Sequence, residues 1–271
     1  VLEVSNRCKT DGSKNSVWLS RAPGSRTVVV GGQVRRGAGG CSGRITVAEP
    51  GLFAADAFRA ALQEGGVRVE GKARLAAEQD LRTKGEWRHL TERRTPLSSV
   101  LRTMLKHSQN MYAEQVVKTI GAEAAGEGTW KAGLRRMAAL LEDLGFEAGP
   151  FGLADGSGLS RNNRLSPAII CAVLAEASGS EHQHSLHSLL AIGGEEGTLK
   201  RRMNDPQYRA RVRAKSGYLA GVGALSGYAD TPSGLRVAFS ILINDYKHPS
   251  SNAGMKEIED RIARAIADYA E

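Results

Sequence analysis

The sequence predicts an α+β protein in which an antiparallel sheet is flanked by helices. Two observations carry this expectation. First, Val212–Tyr218, Val222–Tyr228 and Leu235–Ile243 are apolar segments separated by turn signals, which is the pattern of a three-strand antiparallel meander. Second, several segments between residues 52 and 269 repeat apolar residues every three to four positions, as amphipathic helices do. With 271 residues, 41% of them apolar and only 5% aromatic, the chain has material for an ordinary globular core and is not a disordered polymer.

From the start, Val1–Val4, Ser16–Arg21 and Thr27–Gly31 read as short strands. Gly37–Gly43 reads as a glycine-rich loop and Ile45–Val47 as a further strand. Leu52, Phe53, Ala57, Phe58, Ala61 and Leu62 keep helical spacing up to the stop at Gly65-Gly66, and Val67 and Val69 open a new strand. Gly66 to Lys72 imitates a phosphate-binding loop, but Ala73 stands where a metal-binding Ser or Thr is required, so the match carries no nucleotide chemistry. Residues 1–80 are thus expected to form a strand-rich lobe with one helix, and residues 81–271 a second domain.

The second domain opens with a short strand at Trp87–Leu90. A helix follows from Thr95-Pro96 to His107, with Leu97, Val100, Leu101, Met104 and Leu105 on its apolar face. A second helix starts at Met111, so Ser108-Gln109-Asn110 is a turn between two helices that can aim polar side chains into a cleft. Trp130, Leu134, Met137, Leu141 and Leu144 mark the next helix, and Ser166-Pro167 caps another. Asp155–Arg161 and Gly193–Leu199 are loops. After the meander, Met255, Ile258, Ile262, Ile266 and Tyr269 form one stripe, read as a core-facing helix side.

Composition narrows the function classes. The net charge of +8 favours anionic partners, but the arginine pairs are scattered and lack interleaved aromatics, which argues against nucleic acid. Cys8, Cys41 and Cys171 have no metal-ligand spacing; Cys8 and Cys41 can pair in an oxidising compartment or stay reduced. His182, His184 and His187 lack a carboxylate placed to complete a metal site, so no metal and no cofactor are expected. No run of about 18 apolar residues and no leader pattern occur in the sequence.

Four short elements occur in a telling order: Ser108-Gln109-Asn110, Asp155-Gly156-Ser157-Gly158-Leu159-Ser160-Arg161, Gly197-Thr198-Leu199 and Lys215-Ser216-Gly217. In that order the chain resembles the low-molecular-mass class C penicillin-binding proteins, the D-alanyl-D-alanine carboxypeptidases and endopeptidases of peptidoglycan. The likeness runs from about Asn6 to the final helix and is densest between Gly194 and Asn244. It implies the transpeptidase-like fold, with residues 1–80 as part of an inserted accessory lobe. It also implies Ser108, Asn110 and Lys215 as catalytic residues, with Ser216 and Gly217 receiving the substrate carboxylate and the Tyr218 N–H donating to the oxyanion. The implied partners are peptidoglycan stem peptides and β-lactams, outside the cytoplasm in the periplasm or cell envelope.

One departure qualifies the resemblance. The family's nucleophile is a serine with lysine three residues on, and none of the serines here has that partner; Ser99 is followed by Arg102, which stays protonated and cannot act as a base. The sequence is therefore expected to be the later part of such an enzyme, its nucleophile segment upstream, with a non-catalytic peptide-binding homologue as the alternative. Alone, the chain is expected to be inactive and to be oligomeric, poorly soluble or accompanied by an N-terminal fragment of the same protein.

Overall fold

A computed structural model describes residues 2–11, 14–39, 42–43, 45–76, 89–180, 183–247 and 251–269. The expectations placed on Cys41, Trp87, Arg88 and His182 fall outside these residues. The chain divides into two compact units, Val1–Leu90 and Thr91–Glu271.

In the first unit, β1 (Glu3–Asn6) runs parallel to β4 (Thr27–Gly31), and β3 (Trp18–Ser20) pairs antiparallel to β4 on its other side. The short β2 (Lys9–Thr10) and β5 (Gln33–Val34) form a separate parallel pair. Trp18 lies opposite Gly31, and a Cβ there would fall 2.2 Å from the indole, so glycine is what lets the ring cover the strand. Helix α1 (Pro50–Glu64) follows, starting on proline where its missing N–H costs nothing. Two expected strands do not form. At Ile45–Val47 the carbonyl and hydroxyl of Thr46 accept from the Arg21 guanidinium instead of a neighbouring strand. Val67 and Val69 find no strand partner among the described residues, and Val67 stays exposed.

The second unit is a layered α+β structure. The sheet runs β6-β7-β8-β9 and is antiparallel throughout: β6 (Ala191–Ile192), β7 (Val212–Leu219), β8 (Val222–Asp230) and β9 (Arg236–Ile243). The two-residue β6 covers only Arg213 and Ala214 of its neighbour, so Lys215–Leu219 form an open sheet edge among the described residues. Helices α2 (Leu97–His107), α3 (Asn110–Ala125), α4 (Trp130–Asp143), α5 (Pro167–Gly179) and α6 (Gln183–Leu189) precede the meander. Ser166 caps α5 by accepting from the Ile169 N–H, as its position before proline predicts. Leu174 of α5, Leu190 and Tyr228 of β8 form a core on one sheet face, where the Tyr228 hydroxyl donates to the Leu174 carbonyl at 2.7 Å. Helices α3 and α4 cross closely because Gly133 has no side chain; a Cβ would lie 1.9 Å from the Val117 carbonyl oxygen.

Helix α7 (Ser251–Ala267) packs on the other face, against a core of Leu199, Met203, Val212, Leu225, Phe239 and Ile241. Its orientation corrects part of the stripe read from the sequence: Met255 is buried and Ile266 packs against this core, as expected, but the rest of the stripe does not. Met255, Glu259, Ala263 and Ala267 are the buried residues, whereas Ile258, Ile262 and Tyr269 are exposed. Small side chains bring the helix against the sheet, where Gly223 leaves room for Glu259, and the buried Arg202 guanidinium donates to that carboxylate at 2.9 Å. Hydrophobic periodicity cannot see a face made of alanines and one paired acid.

Candidate active site

The site starts at the α2–α3 junction. Helix α2 ends at His107 on Ser108, whose backbone is left-handed at φ 53°, ψ 51°, with its N–H still bonded to Met104 O. Glycine is the usual residue there; a serine costs on the order of 1–2 kcal/mol. Strain of that kind, held by packing, marks a position kept for its side chain. The hydroxyl of Ser108 accepts a 2.8 Å hydrogen bond from Lys215 Nζ on β7, 107 residues away. The same ammonium also donates to the Ser216 carbonyl. Burial pushes the Lys215 pKa down from its ordinary value.

Next to this pair, Ser216 Oγ donates to Thr198 Oγ1 at 2.8 Å. Thr198 sits in a 3₁₀ turn (Gly197–Leu199) pressed onto the end of α2: a Cβ on Gly197, at φ +70°, would lie 2.6 Å from the Lys106 carbonyl oxygen. The turn is also pinned by charge. Lys106, 2% exposed, pairs with Glu196, and Arg102 reaches the other oxygen of that carboxylate at 2.7 Å. The hydrogen bond from Lys106 holds the Glu196 carboxyl below its ordinary value, more than burial raises it, with Arg102 assisting.

The far wall is the loop from Asp155 to Arg161. Asp155 builds it, accepting from the N–H groups of Gly158 at 2.7 Å and Ser160 at 2.6 Å and from Asn163 Nδ2 at 2.8 Å. Glu114 of α3 anchors it, accepting from the N–H groups of Gly156 and Ser157 and from Trp130 Nε1. Burial raises the Glu114 carboxyl, but those bonds and the Ser157 side chain outweigh it and leave it below the ordinary value. Gly156 is needed for the close approach, since a Cβ would meet the Val117 side chain at 2.5 Å. At its end the loop is tied to the β7–β8 turn by Arg161, which donates to the Ala220 carbonyl at 2.8 Å.

These elements enclose a cleft of about 910 Å³. The structure thus brings Ser108, Lys215 and Ser216 into one bonded group, with Asn110, Gly217 and Tyr218 lining the same cleft. Sequence reasoning gave no role to Thr198, Glu114, Lys106 or Glu196. Thr198 lay inside a recognised tripeptide, but the ion pair of Lys106 and Glu196 joins residues 90 apart and leaves no local signal.

Glu114→Gln is expected to cost about 1 kcal/mol of stability, since a half-buried charged acceptor of several donors is lost. Because the folded-state pKa of Glu114 is lowered, its contribution is present above the unfolded-state value and is lost as pH falls through the folded one. Urea unfolding of the second unit should therefore show a smaller acid-side loss of stability in Glu114→Gln than in the parent.

An antiparallel sheet between helical layers, with a lysine on an open edge strand bonded to a serine at a helix junction, defines the penicillin-binding-protein class of α+β fold. The crystal structure of penicillin-binding protein 4 from Haemophilus influenzae in complex with a β-lactam has this fold: its TM-score is 0.73 at 24% identity, covering 99% of this chain and 64% of that one. The match to the D-Ala-D-Ala carboxypeptidase 3 (S13) family extends over residues 2–269, and the chain belongs to that family, as the resemblance to the low-molecular-mass class C penicillin-binding proteins implied. A D-alanyl-D-alanine carboxypeptidase from Actinomadura sp. (strain R39) is 34% identical over 279 residues, 99% of this chain and 50% of that relative. The D-alanyl-D-alanine carboxypeptidase DacB of Haemophilus influenzae is 30% identical over 199 residues, 72% of this chain and 40% of that relative. The chain spans about half the length of the curated relatives it matches.

Proposed function

We propose that this chain carries the substrate-binding and proton-relay half of a penicillin-binding D-Ala-D-Ala carboxypeptidase that works through an acyl-serine outside the cytoplasm. The observation that carries the reading is the 2.8 Å bond from Lys215 to Ser108 beside an open strand edge. An extended peptide ending in D-Ala-D-Ala pairs with the free edge at Lys215–Leu219, Gly217 letting its backbone lie close. Its terminal carboxylate meets the Lys215 ammonium and the Ser216 region, while Asn110 holds a substrate amide. The nucleophilic serine attacks the penultimate carbonyl, forming a C–O bond as its hydroxyl proton passes to the lysine of its own segment and on to Ser108. The oxyanion is held by the Tyr218 N–H, and the C–N bond breaks as Ser108 passes a proton to the departing amine. Water then releases the acyl group. β-Lactams enter the same sequence because they too present a carbonyl and a carboxylate.

No serine of the 271 residues has lysine three positions on, so the acylating serine in this reading comes from sequence other than these residues. That same absence favours a second reading, a homologue that binds peptidoglycan peptide without turnover. Exposing the full-length protein to a fluorescent penicillin decides between them. A covalently labelled band that survives denaturation is expected; none at millimolar penicillin would sink the catalytic reading and leave the binding one.

The role of Lys215 also sets a pH dependence. The ammonium is the active form, and its pKa is depressed by burial, so penicillin acylation is expected to decline on the alkaline side below the pH of an ordinary lysine, about 10.4. Stability moves the other way: a cation penalised in the folded state gives stability that rises as pH passes from the folded to the unfolded pKa. Acylation and urea-unfolding profiles of the parent and Lys215→Met, measured side by side, check both signs.

A further inference from the structure

We infer that the outer sheet face of the first unit is a binding surface for an anionic glycan, a polymer of sugars that bear carboxylate or phosphate groups. The first 44 residues hold eight Lys and Arg against two Asp and Glu, so six of the chain's eight net positive charges lie there. Strand register shows where they fall. β1 and β2 keep one offset against β4 and β5, with Glu3 opposite Thr27 and Lys9 opposite Gln33. The chain leading into β3 runs along the other side: the Ser16 N–H donates to the Gln33 carbonyl at 2.9 Å, and Trp18 lies opposite Gly31. Side chains alternate across a strand, so Arg7, Lys9, Gln33, Arg35, Ser16 and Trp18 share one face. Burial agrees with that assignment. All six are exposed, whereas Cys8, Val17, Leu19 and Val34 beside them are partly buried.

Two features of this face point to the ligand. The first is charge left without a counter-charge: Arg7, Lys9, Lys14 and Arg35 form no ion pair among the described residues, and the carboxylates of the face, Glu3 and Asp11, lie at its two ends. Strands lie about 4.8 Å apart and alternate residues about 6.7 Å apart, which puts Arg7, Lys9 and Arg35 within roughly 15 Å of one another. A polyanion can span such a row; a single small anion cannot. The second feature is Trp18. Its indole covers the neighbouring strand at Gly31 yet stays 51% exposed, so its outer side is open to stack on the apolar face of a sugar ring. Gln33 and Ser16 beside it can bond sugar hydroxyls. One aromatic among cations suits a glycan better than a nucleic-acid strand, whose successive bases need several stacking platforms.

The test measures binding of the full-length protein to immobilised polygalacturonate, which carries carboxylates, and to phosphomannan, which carries phosphates, with neutral dextran as the control. At 50 mM salt the protein should bind at least one acidic glycan and not dextran, and binding should weaken roughly 10- to 50-fold by 200 mM as counterions return. A preference between the two identifies the anion. Changing Arg7, Lys9 and Arg35 together to glutamine should weaken binding at least about tenfold and flatten its salt dependence; these side chains are exposed, so the fold should survive. Trp18→Ala should weaken binding about fivefold or more with the salt slope kept, and Trp18→Tyr should retain most of it. If Trp18→Ala does not fold, the triple variant decides. No binding of either acidic glycan at 50 mM salt, equal binding by the triple variant, or tighter binding of oligothymidylate or of phosphatidylglycerol vesicles overturns the inference. None of these residues lines the cleft, so penicillin labelling should be the same in parent and variants. A parent that is never labelled counts against the carboxypeptidase reading alone and leaves the glycan surface to be decided by the binding.

Discussion

Replacing Lys215 by methionine is expected to lower the second-order rate of penicillin acylation of the full-length protein about 10²–10³-fold, the range found when one preorganised donor is removed from an acyl-transfer site. Lys215 contributes in two ways that methionine cannot imitate. In the proposed reaction it supplies a half-buried positive charge for the ligand carboxylate and, donating to Ser108 Oγ at 2.8 Å, fixes the hydroxyl proposed to hand on the proton. Methionine keeps most of the apolar stem, so the edge strand and its register with β8 should survive, and far-ultraviolet circular dichroism should be unaltered. Lys215→Arg should recover little, because a planar, bulkier fork does not fit a site shaped to a point charge between Ser108 and the Ser216 carbonyl. A loss below tenfold in Lys215→Met, in a protein whose parent is acylated, would remove Lys215 from the proposed machinery.

Arg202→Ala is expected to destabilise the second unit by about 3–5 kcal/mol, the cost of leaving a buried charge without its partner. Arg202 is 8% exposed and Glu259 2%; the guanidinium donates to Glu259 Oε2 at 2.9 Å and to Asp260 Oδ1 at 2.8 Å. These bonds join the segment after the 3₁₀ turn to α7, so they hold the back of the site together. Burial raises the Glu259 carboxyl above its ordinary value despite Arg202, and removing the guanidinium raises it further. A group raised in this way contributes most below its unfolded-state pKa and loses that contribution as pH climbs through the folded one. The deficit of Arg202→Ala, read from urea midpoints, should therefore shrink as pH is lowered toward about 4. Arg202→Met with Glu259→Leu should cost less than the sum of the single changes, because neither partner is then left charged and buried.

Much of the architecture is local and therefore legible. The meander appears in the sequence because each strand carries its own apolar run and turn, and β7, β8 and β9 pair in that order. The Ser166 cap of α5 and the amphipathic α4 are equally local, since the chain fixes them within a turn or two. Reading failed where a partner lies far away. Ile45–Val47 has the composition of a strand but is held by an arginine side chain, and α7 buries alanines and a glutamate while its Ile258 and Ile262 stay exposed.

The site divides in the same manner. By itself the sequence determined the order of the short polar elements and, through them, the family, because a serine-x-asparagine turn, a glycine-rich loop and a lysine-serine-glycine strand are each written in consecutive residues. Only the tertiary structure decided that Lys215 reaches Ser108, that Ser216 spends its proton on Thr198, and that Lys106 and Glu196 clamp the turn between them. The reason is physical: a hydrogen bond's direction and an ion pair's partner depend on distances across a packed interior. No residue carries a mark of which group, 90 or 107 positions away, it will meet.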